Sequence, residues 1–230
     1  YEDGLLVRAV TRGNGIEGEV ITANVRTIRA VPLRLLSSVR PVPSLLAVRG
    51  EIYLPIHAFD DVNAELMNQG KQPFANPRNA AAGSVRQLDT SLTASRPLTL
   101  YCYDLLAGPT FRTQSELLGA LADWGLPVNP DNATADDVEG VLAYFEKMVE
   151  ERDHMAYEVD GVVVKLQDLD LRDRLGNTAH HPRWAYAVKF QPRKEVSEVL
   201  KIVASVGRTG VVTPIALLRP VNIGGVTVSR

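Results

Sequence analysis

The sequence lacks the features that cross-link a secreted protein or hold one in a membrane. Its single cysteine, Cys102, excludes a disulfide framework and a cysteine-based zinc site within these residues, and it fits a reducing compartment. No apolar run approaches the roughly 18 residues of a membrane-spanning helix, so we expect no membrane partner. A secretory signal is also missing, and the chain opens at Tyr1 without a methionine, which indicates processing or truncation.

The composition is that of a globular protein with unevenly distributed charge. The 230 residues are 45% hydrophobic and 23% charged, enough for one large core or for a domain plus a smaller one. The net charge is −2, but residues 71–96 carry four bases against one acid, residues 183–208 six against two, and residues 104–160 only three against thirteen. Arginine supplies 19 of the 25 positive charges, and its forked guanidinium suits phosphate. The two basic segments therefore predict phosphate or nucleic-acid contact, with ordinary surface patchiness as the alternative.

The most informative stretch is Tyr157–Lys165. Its segment Val162–Val164 predicts a buried strand, yet a purely structural strand explains neither Asp160 at one end nor Lys165 at the other. Residues five apart point to opposite faces of a regular strand. Both charges therefore reach one site only if Gly161 breaks the strand or opens a bulge. A solvated edge strand is the alternative.

Two other predicted strands present polar side chains. In Trp184–Phe190, Lys189 stands on a face of small residues with room for a ligand, and a buried lysine without an anion would be costly. In Leu45–Leu54, one face is apolar, and the other places Arg49 and Glu51 side by side. That polar face is either a solvated surface or the floor of a polar pocket.

A glycine-rich segment at residues 12–19 matches the dinucleotide-binding pattern G-x-G-x-x-G only superficially. That fingerprint needs an acid about twenty residues further on and a long helix, whereas no acid occurs there and Val20–Ile28 makes at most a short helix. We predict instead a strand at Leu5–Thr11 and a flexible loop that delivers Arg12 and Glu19 to a neighbouring site. A mobile turn without such a role is the alternative.

The least generic stretch is Phe74–Asp89. Asn76 and Pro77 predict a turn, and the alanine-rich residues after them predict a tightly packed helix. Arg78 and Arg86 flank the small residues, so they are candidate phosphate contacts.

The rest of the sequence predicts alternating helices and strands, followed by a region of short strands and glycine turns. Helices follow Pro55, Thr113, residues 134–137 and residue 168, and a strand covers Leu98–Leu105. The helix after residues 134–137 is predicted to bury an apolar stripe made of Val138, Val141, Leu142, Phe145, Met148 and Val149. From Val196 onward, short strands with glycine turns at residues 207–210 and 224–225 predict the opening of a small β-barrel, too short to close.

Together these motifs resemble the bacterial NAD-dependent DNA ligases, in order and at compatible spacing, over essentially the whole chain. The segments that carry the resemblance are Thr11–Gly15, Arg49–Glu51, Phe74–Asp89, Asp160–Lys165, Ala187–Phe190 and Val206–Gly210. The Asp-Gly-Val-Val-Val-Lys motif is shared with ATP-dependent ligases and capping enzymes, whereas the Phe74–Asp89 stretch is typical of the NAD-dependent branch. The resemblance implies an α+β fold: a nucleotidyltransferase domain at residues 1–195, with antiparallel sheets flanking a nucleotide cleft, then an incomplete OB-fold β-barrel at residues 196–230.

The resemblance also implies an activity, the sealing of 5′-phosphate/3′-hydroxyl nicks in duplex DNA during replication and repair. In this family a lysine takes AMP from NAD, and the AMP passes to the 5′-phosphate before the 3′-hydroxyl attacks. The family's positions fall on Arg12, Glu51, Tyr103, Lys165 and Lys189 for the nucleotide, on Asp160 and Lys189 for catalysis, on Asp160 for magnesium or manganese, and on Arg78, Arg86 and Arg208 for DNA. Glu51 is expected at the ribose hydroxyls, and Tyr103 on the adenine ring.

One departure from the family pattern bears on activity. The nucleophilic Lys-x-Asp-Gly motif should lie about ten residues before Tyr1, and none occurs within these 230 residues. We therefore expect an internal fragment of a ligase, inactive alone, with the family's zinc finger in a domain outside it. The expected setting is a monomer with NAD, AMP and nicked DNA as partners, in the bacterial cytoplasm at the nucleoid. The alternatives are a non-catalytic nucleic-acid-binding remnant and an ATP-dependent nucleotidyltransferase.

Overall fold

The structure is a computed structural model that describes residues 1–178, 181–192, 194–223 and 226–230. The chain divides into two units, Tyr1–Phe190 and Gln191–Arg230. The described residues form a mixed α and β structure with four small antiparallel sheets, each of two strands. No helix among them is long and apolar enough to cross a membrane.

The first unit alternates helices with two strand pairs. Its elements are α1 (Thr22–Val25), β1 (Ala47–Tyr53), α2 (Ile56–Asn68), α3 (Pro77–Val85), α4 (Thr90–Ala94), β2 (Thr99–Ala107), α5 (Gln114–Asp123), α6 (Val138–Glu151), β3 (Gly161–Lys165), α7 (Leu169–Leu175) and β4 (Ala185–Lys189). β1 pairs with β2, and β3 pairs with β4. The helices predicted after Pro55 and Thr113 are confirmed, and Thr113 closes the predicted capping box with Glu116.

The core of the first unit lies on the β1–β2 sheet, beneath α3 and α5. Leu46 and Leu54, which flank β1 on either side, are fully buried together with Leu121 of α5. The predicted core face of this strand is therefore confirmed. Arg49 and Glu51 are exposed on its other face, where a ligand can reach them.

Helix α3 confirms the turn and helix predicted for Phe74–Asp89. The Asn76 side chain caps the helix by accepting a hydrogen bond of 2.8 Å from a backbone N–H in its first turn. Ala80 and Ala81 are buried, and a Cβ at Gly83 would lie 2.8 Å from a ring carbon of Phe74. The small residues therefore let the helix pack closely, which fixes the positions of the arginines at its two ends.

The strand predicted at Leu5–Thr11 is wrong. The segment makes only isolated bridges, from Leu5 to Glu2 and Arg34 and from Val10 to Val20. Because its two ends pair with different parts of the chain, no continuous ladder forms, although the alternation of its side chains is typical of a strand.

The burial predicted for α6 is also mostly wrong. Met148 is buried, but Val138 and Leu142 are exposed at 67% and 54% of their surfaces. This helix packs mainly against the short strand β3, which is too small to cover an apolar stripe along four turns.

The described residues of the second unit form two antiparallel strand pairs. Its strands are β5 (Val199–Val206), β6 (Val212–Leu218), β7 (Val221–Ile223) and β8 (Val226–Val228), with β5 paired to β6 and β7 to β8. Gly210 adopts a φ of +81° in the β5–β6 turn, a conformation that favours glycine. The short strands predicted here are confirmed, and the turn predicted at residues 224–225 lies outside the described residues.

Candidate functional site

The open face of the β3–β4 pair carries two of the predicted site residues. Strand alternation places Val163, Lys165 and Lys189 on this one face. Val163 is 61% exposed and the Lys189 side chain 63%, so the predictions of a buried strand and a buried Lys189 are wrong. Val163 and Ala187 therefore leave an exposed apolar strip between the two lysines, which lie about 13 Å apart along the strands.

At the first end of the ribbon, Lys165 meets the ring of Tyr103 on β2. The Lys165 Nζ atom lies 5.1 Å from the centre of the ring, a cation–π contact. Burial lowers the pKa of Lys165, and nearby Asp104 partly opposes this effect by favouring the charged form. The pair forms a half-buried corner with an aromatic face and a cation.

A β-bulge places Tyr103 at this corner. Asp104 is opposite Arg49 and Cys102 is opposite Gly50, so Tyr103 is an extra residue with no partner on β1. A Cβ at Gly50 would lie 2.8 Å from the Tyr101 carbonyl oxygen, so glycine is needed for the close approach of the two strands. The sequence does not predict this bulge, because simple alternation contains no signal for an inserted residue.

Four charged residues act on the Tyr103 hydroxyl. Burial raises its pKa, Arg49 and Arg12 lower it, and Glu51 and Asp104 raise it. Arg12, on the glycine loop, and Glu51, which pairs with Tyr101 across the sheet, are therefore within electrostatic range of Tyr103. The structure therefore brings together four predicted nucleotide-site residues: Arg12, Glu51, Tyr103 and Lys165.

At the second end of the ribbon, Lys189 forms an ion pair with Asp160. Lys189 Nζ lies 2.6 Å from Asp160 Oδ2, and this hydrogen bond lowers the pKa of the Asp160 carboxyl, with a further contribution from Arg78. β3 begins at Gly161 and pairs with β4 without a break or bulge as far as Lys165, so Asp160 lies just outside the strand. A Cβ at Gly161 would lie 2.3 Å from the Val188 carbonyl oxygen. Asp160 and Lys165 thus serve opposite ends of one surface and do not meet directly.

The three arginines predicted to contact DNA lie in different places. Arg78 is exposed in the first turn of α3, near Asp160. Arg86 follows the end of α3, and its Nε atom lies 3.1 Å from Oε2 of Glu19. The glycine loop therefore delivers Glu19 to Arg86, as well as bringing Arg12 near Tyr103. Arg208 is exposed in the β5–β6 turn of the second unit.

The described residues contain no cluster of three or more acidic, histidine or cysteine side chains that could hold a metal ion. The predicted ligand, Asp160, already accepts a hydrogen bond from Lys189 Nζ through its Oδ2 atom. Magnesium needs about six oxygen ligands in octahedral geometry, so one carboxylate does not make a site without oxygens from elsewhere. The assignment of a metal to Asp160 stays a prediction.

Two family models match the chain. The first, described as the NAD-dependent DNA ligase adenylation domain, matches residues 1–193, and the second, the NAD-dependent DNA ligase OB-fold domain, matches residues 196–230. Curated proteins named DNA ligase from Trichlorobacter lovleyi and Geobacter sulfurreducens are each 52% identical over the whole chain, and one from Haloarcula marismortui is 51% identical. The chain spans 34%, 34% and 33% of these relatives, about a third of their length.

Proposed function

The chain belongs to the NAD-dependent DNA ligase family, and we propose that it forms the nucleotide-binding part of an enzyme that seals nicks in duplex DNA. The proposed domains are a nucleotidyltransferase domain at residues 1–195, with its sheets flanking a nucleotide cleft, and the start of an OB-fold at residues 196–230. The observation that carries the proposal is the contact of Lys165 with Tyr103, beside Glu51 and Arg12.

The open face of the β3–β4 ribbon fits the AMP half of NAD. The Tyr103 ring offers a flat apolar surface for adenine, and a cation beside it, Lys165, can donate a hydrogen bond to a ring nitrogen. Exposed Val163 supplies an apolar floor next to this corner. The Glu51 carboxylate is exposed on β1 and can accept hydrogen bonds from both ribose hydroxyls. The adenosine would then lie along the ribbon with its phosphate towards Lys189.

The Lys189–Asp160 end fits the reacting phosphate. In the proposed reaction a neutral lysine attacks the adenylyl phosphorus, so that an N–P bond forms and the amine loses a proton to solvent, while the P–O bond to nicotinamide mononucleotide breaks and that mononucleotide leaves with the electron pair. Lys189 can neutralise the oxygens that gain charge during the attack, and Asp160 holds its ammonium group in place at 2.6 Å. The same groups would act again when the AMP passes to the DNA 5′-phosphate and when the 3′-hydroxyl displaces AMP.

The DNA phosphates would contact Arg78, Arg86 and Arg208, because each guanidinium group can donate two parallel hydrogen bonds to one phosphate. Arg78 lies near the proposed phosphate end of the site, where the nick must be during sealing. We further propose that the protein works as a monomer. Its proposed location is the bacterial cytoplasm at the nucleoid, because its DNA substrate is there. A bound magnesium or manganese ion would supply further charge neutralisation at the phosphates.

The Arg86–Glu19 pair gives a prediction about DNA binding. Replacing Arg86 with alanine is expected to weaken binding of nicked duplex roughly 10-fold at low salt and to reduce the salt slope by about one, because one phosphate contact is lost. Glu19→Gln is expected to strengthen binding severalfold, since the exposed pair must open for Arg86 to reach a phosphate. Fluorescence anisotropy at several salt concentrations measures both effects.

A matched control for this test is Arg112→Ala, which also removes an exposed arginine paired with a carboxylate, Glu116. It lies in the acidic segment and is expected to leave the salt slope unchanged. All three variants should take up AMP at the wild-type rate. An unchanged slope for Arg86→Ala would remove this residue from the DNA contacts.

The test of the proposed function is nick sealing by a full-length protein that contains this chain. We expect it to seal a 5′-phosphorylated nick with NAD and to release nicotinamide mononucleotide, whereas ATP should not support the reaction. Sealing with ATP alone would identify an ATP-dependent nucleotidyltransferase. Salt-sensitive DNA binding without covalent AMP transfer from either nucleotide would identify a non-catalytic binding module.

A further inference from the structure

Arg172 of α7 is a buried cation that the proposed mechanism does not use. It is only 5% exposed, and its guanidinium lies 4.5 Å from the centre of the Trp184 ring. Its Nε atom donates to the backbone carbonyl of Leu166, and its Nη1 atom donates to Gln114 Oε1 at 2.7 Å. Leu166 directly follows Lys165 in the chain. Arg172 therefore holds the backbone next to one half of the Lys165–Tyr103 corner.

Gln114 extends this network to the other half. It is the first residue of α5 and is also buried, and its Nε2 atom donates to the backbone carbonyl of Tyr103 at 3.0 Å. Its backbone N–H donates to the carbonyl of Gln167 at 2.9 Å. A continuous set of hydrogen bonds therefore runs from the Tyr103 backbone through two buried side chains to the backbone beside Lys165.

Local packing does not explain this arrangement. A buried guanidinium loses its hydration, and burial lowers the pKa of Arg172, with partial compensation from Asp104. Its Nη2 group makes no hydrogen bond to any described residue, so both N–H groups on that atom are unsatisfied. An apolar side chain on α7 could cover Trp184 without these costs, but it could not bind the two acceptors that face Arg172.

We propose that Arg172 and Gln114 form a clamp that positions Tyr103 and Lys165 to bind the adenosine half of NAD. The proposal rests on the proposed function of that corner. Neither clamp residue touches the nucleotide: Gln114 fixes the bulge that carries Tyr103, and Arg172 fixes the end of β3 that carries Lys165. The two anchored residues, Tyr103 and Lys165, lie on different sheets. Without the clamp, the distance and orientation between the Tyr103 ring and the Lys165 ammonium group are no longer fixed. Misplacement by about 1 Å is enough to cost a rate or binding factor of roughly 100.

The test uses a full-length protein that contains this chain, with NAD as the probe. Arg172→Met is expected to raise the KM for NAD roughly 10-fold or more in the AMP-transfer step, and Arg174→Met is its control. Arg174 lies on the same helix but is exposed, so its substitution should leave KM within about twofold. A role in stability alone would lower the active fraction, and hence kcat, and would leave KM unchanged. That outcome overturns the clamp.

Gln114→Glu keeps the test decisive if Arg172→Met does not fold. The new carboxylate still accepts from Arg172, but it cannot donate to the Tyr103 carbonyl. We expect a folded protein with KM raised roughly 10-fold, and a wild-type KM contradicts the proposal. The proposed function is judged separately: the wild-type protein must take AMP from NAD, and Lys165→Met must raise KM. If both hold while Arg172→Met and Gln114→Glu keep the wild-type KM, the clamp alone is wrong.

Discussion

Replacing Lys189 with alanine is expected to slow AMP transfer from NAD by roughly 100-fold to 1,000-fold, equivalent to about 3 to 4 kcal/mol of transition-state stabilisation. Lys189 is the cation at the phosphate end of the ribbon, and its removal leaves the Asp160 carboxylate unpaired where phosphate oxygens gain negative charge. The variant therefore loses an attraction and gains a repulsion. Single-turnover labelling with NAD carrying a radioactive adenylyl phosphate measures the rate in a full-length protein that contains this chain.

Lys147→Ala is the matched control for Lys189→Ala. Lys147 is also an exposed lysine paired with a carboxylate, Glu151, but it lies on α6. Its substitution should leave the labelling rate within about twofold, as is usual for surface changes away from a site. Wild-type labelling by Lys189→Ala would show that Lys189 is not at the phosphate.

Gly161→Ala is expected to reduce the rate of AMP transfer by a similar factor, because it displaces the backbone of the ribbon. The added methyl group would lie 2.3 Å from the Val188 carbonyl oxygen and 2.9 Å from the Lys189 Cα atom, so β3 and β4 must separate. Overpacking of this kind costs about 1 to 3 kcal/mol of stability. The separation also moves Lys189 away from Asp160, and a shift of about 1 Å is expected to reduce AMP transfer roughly 100-fold.

Gly119→Ala is the control for this glycine. Gly119 is inside helix α5, and nothing lies within 4 Å of the position that its Cβ would take. Alanine there should raise stability by about 0.5 to 1 kcal/mol and leave AMP transfer unchanged. Thermal unfolding and single-turnover labelling of both variants give the comparison. Wild-type labelling by Gly161→Ala would mean that the ribbon geometry does not position the reacting groups.

The sequence allowed the elements with strong local signals to be predicted. The capped helix at Asn76, the capping box at Thr113 and the alternation around Leu46–Leu54 each depend on neighbouring residues, so local rules suffice for them. The strand at Leu5–Thr11 and the burial of α6 could not be judged this way. A strand forms only if another segment pairs with it, and a helix face is buried only if another element covers it. A local sequence pattern contains no information about these partners.

The candidate site was predictable as a set of residue types but not as an arrangement. Tyr103 reaches Lys165 because of a bulge, and Lys189 meets Asp160 because the strand register places Gly161 opposite it. The sequence puts Arg172 in a short, highly charged helix, where an exposed arginine is the ordinary expectation. Its burial depends on Trp184 and Gln114, twelve residues after it and 58 before it along the chain.

The most direct test of the nucleotide site is a crystal structure of a full-length protein that contains this chain, bound to AMP. We predict the adenine ring stacked on Tyr103 with Lys165 at its edge, the ribose hydroxyls on Glu51 and the phosphate beside Lys189. AMP bound away from the β3–β4 ribbon, with the Tyr103 ring free, would contradict this prediction.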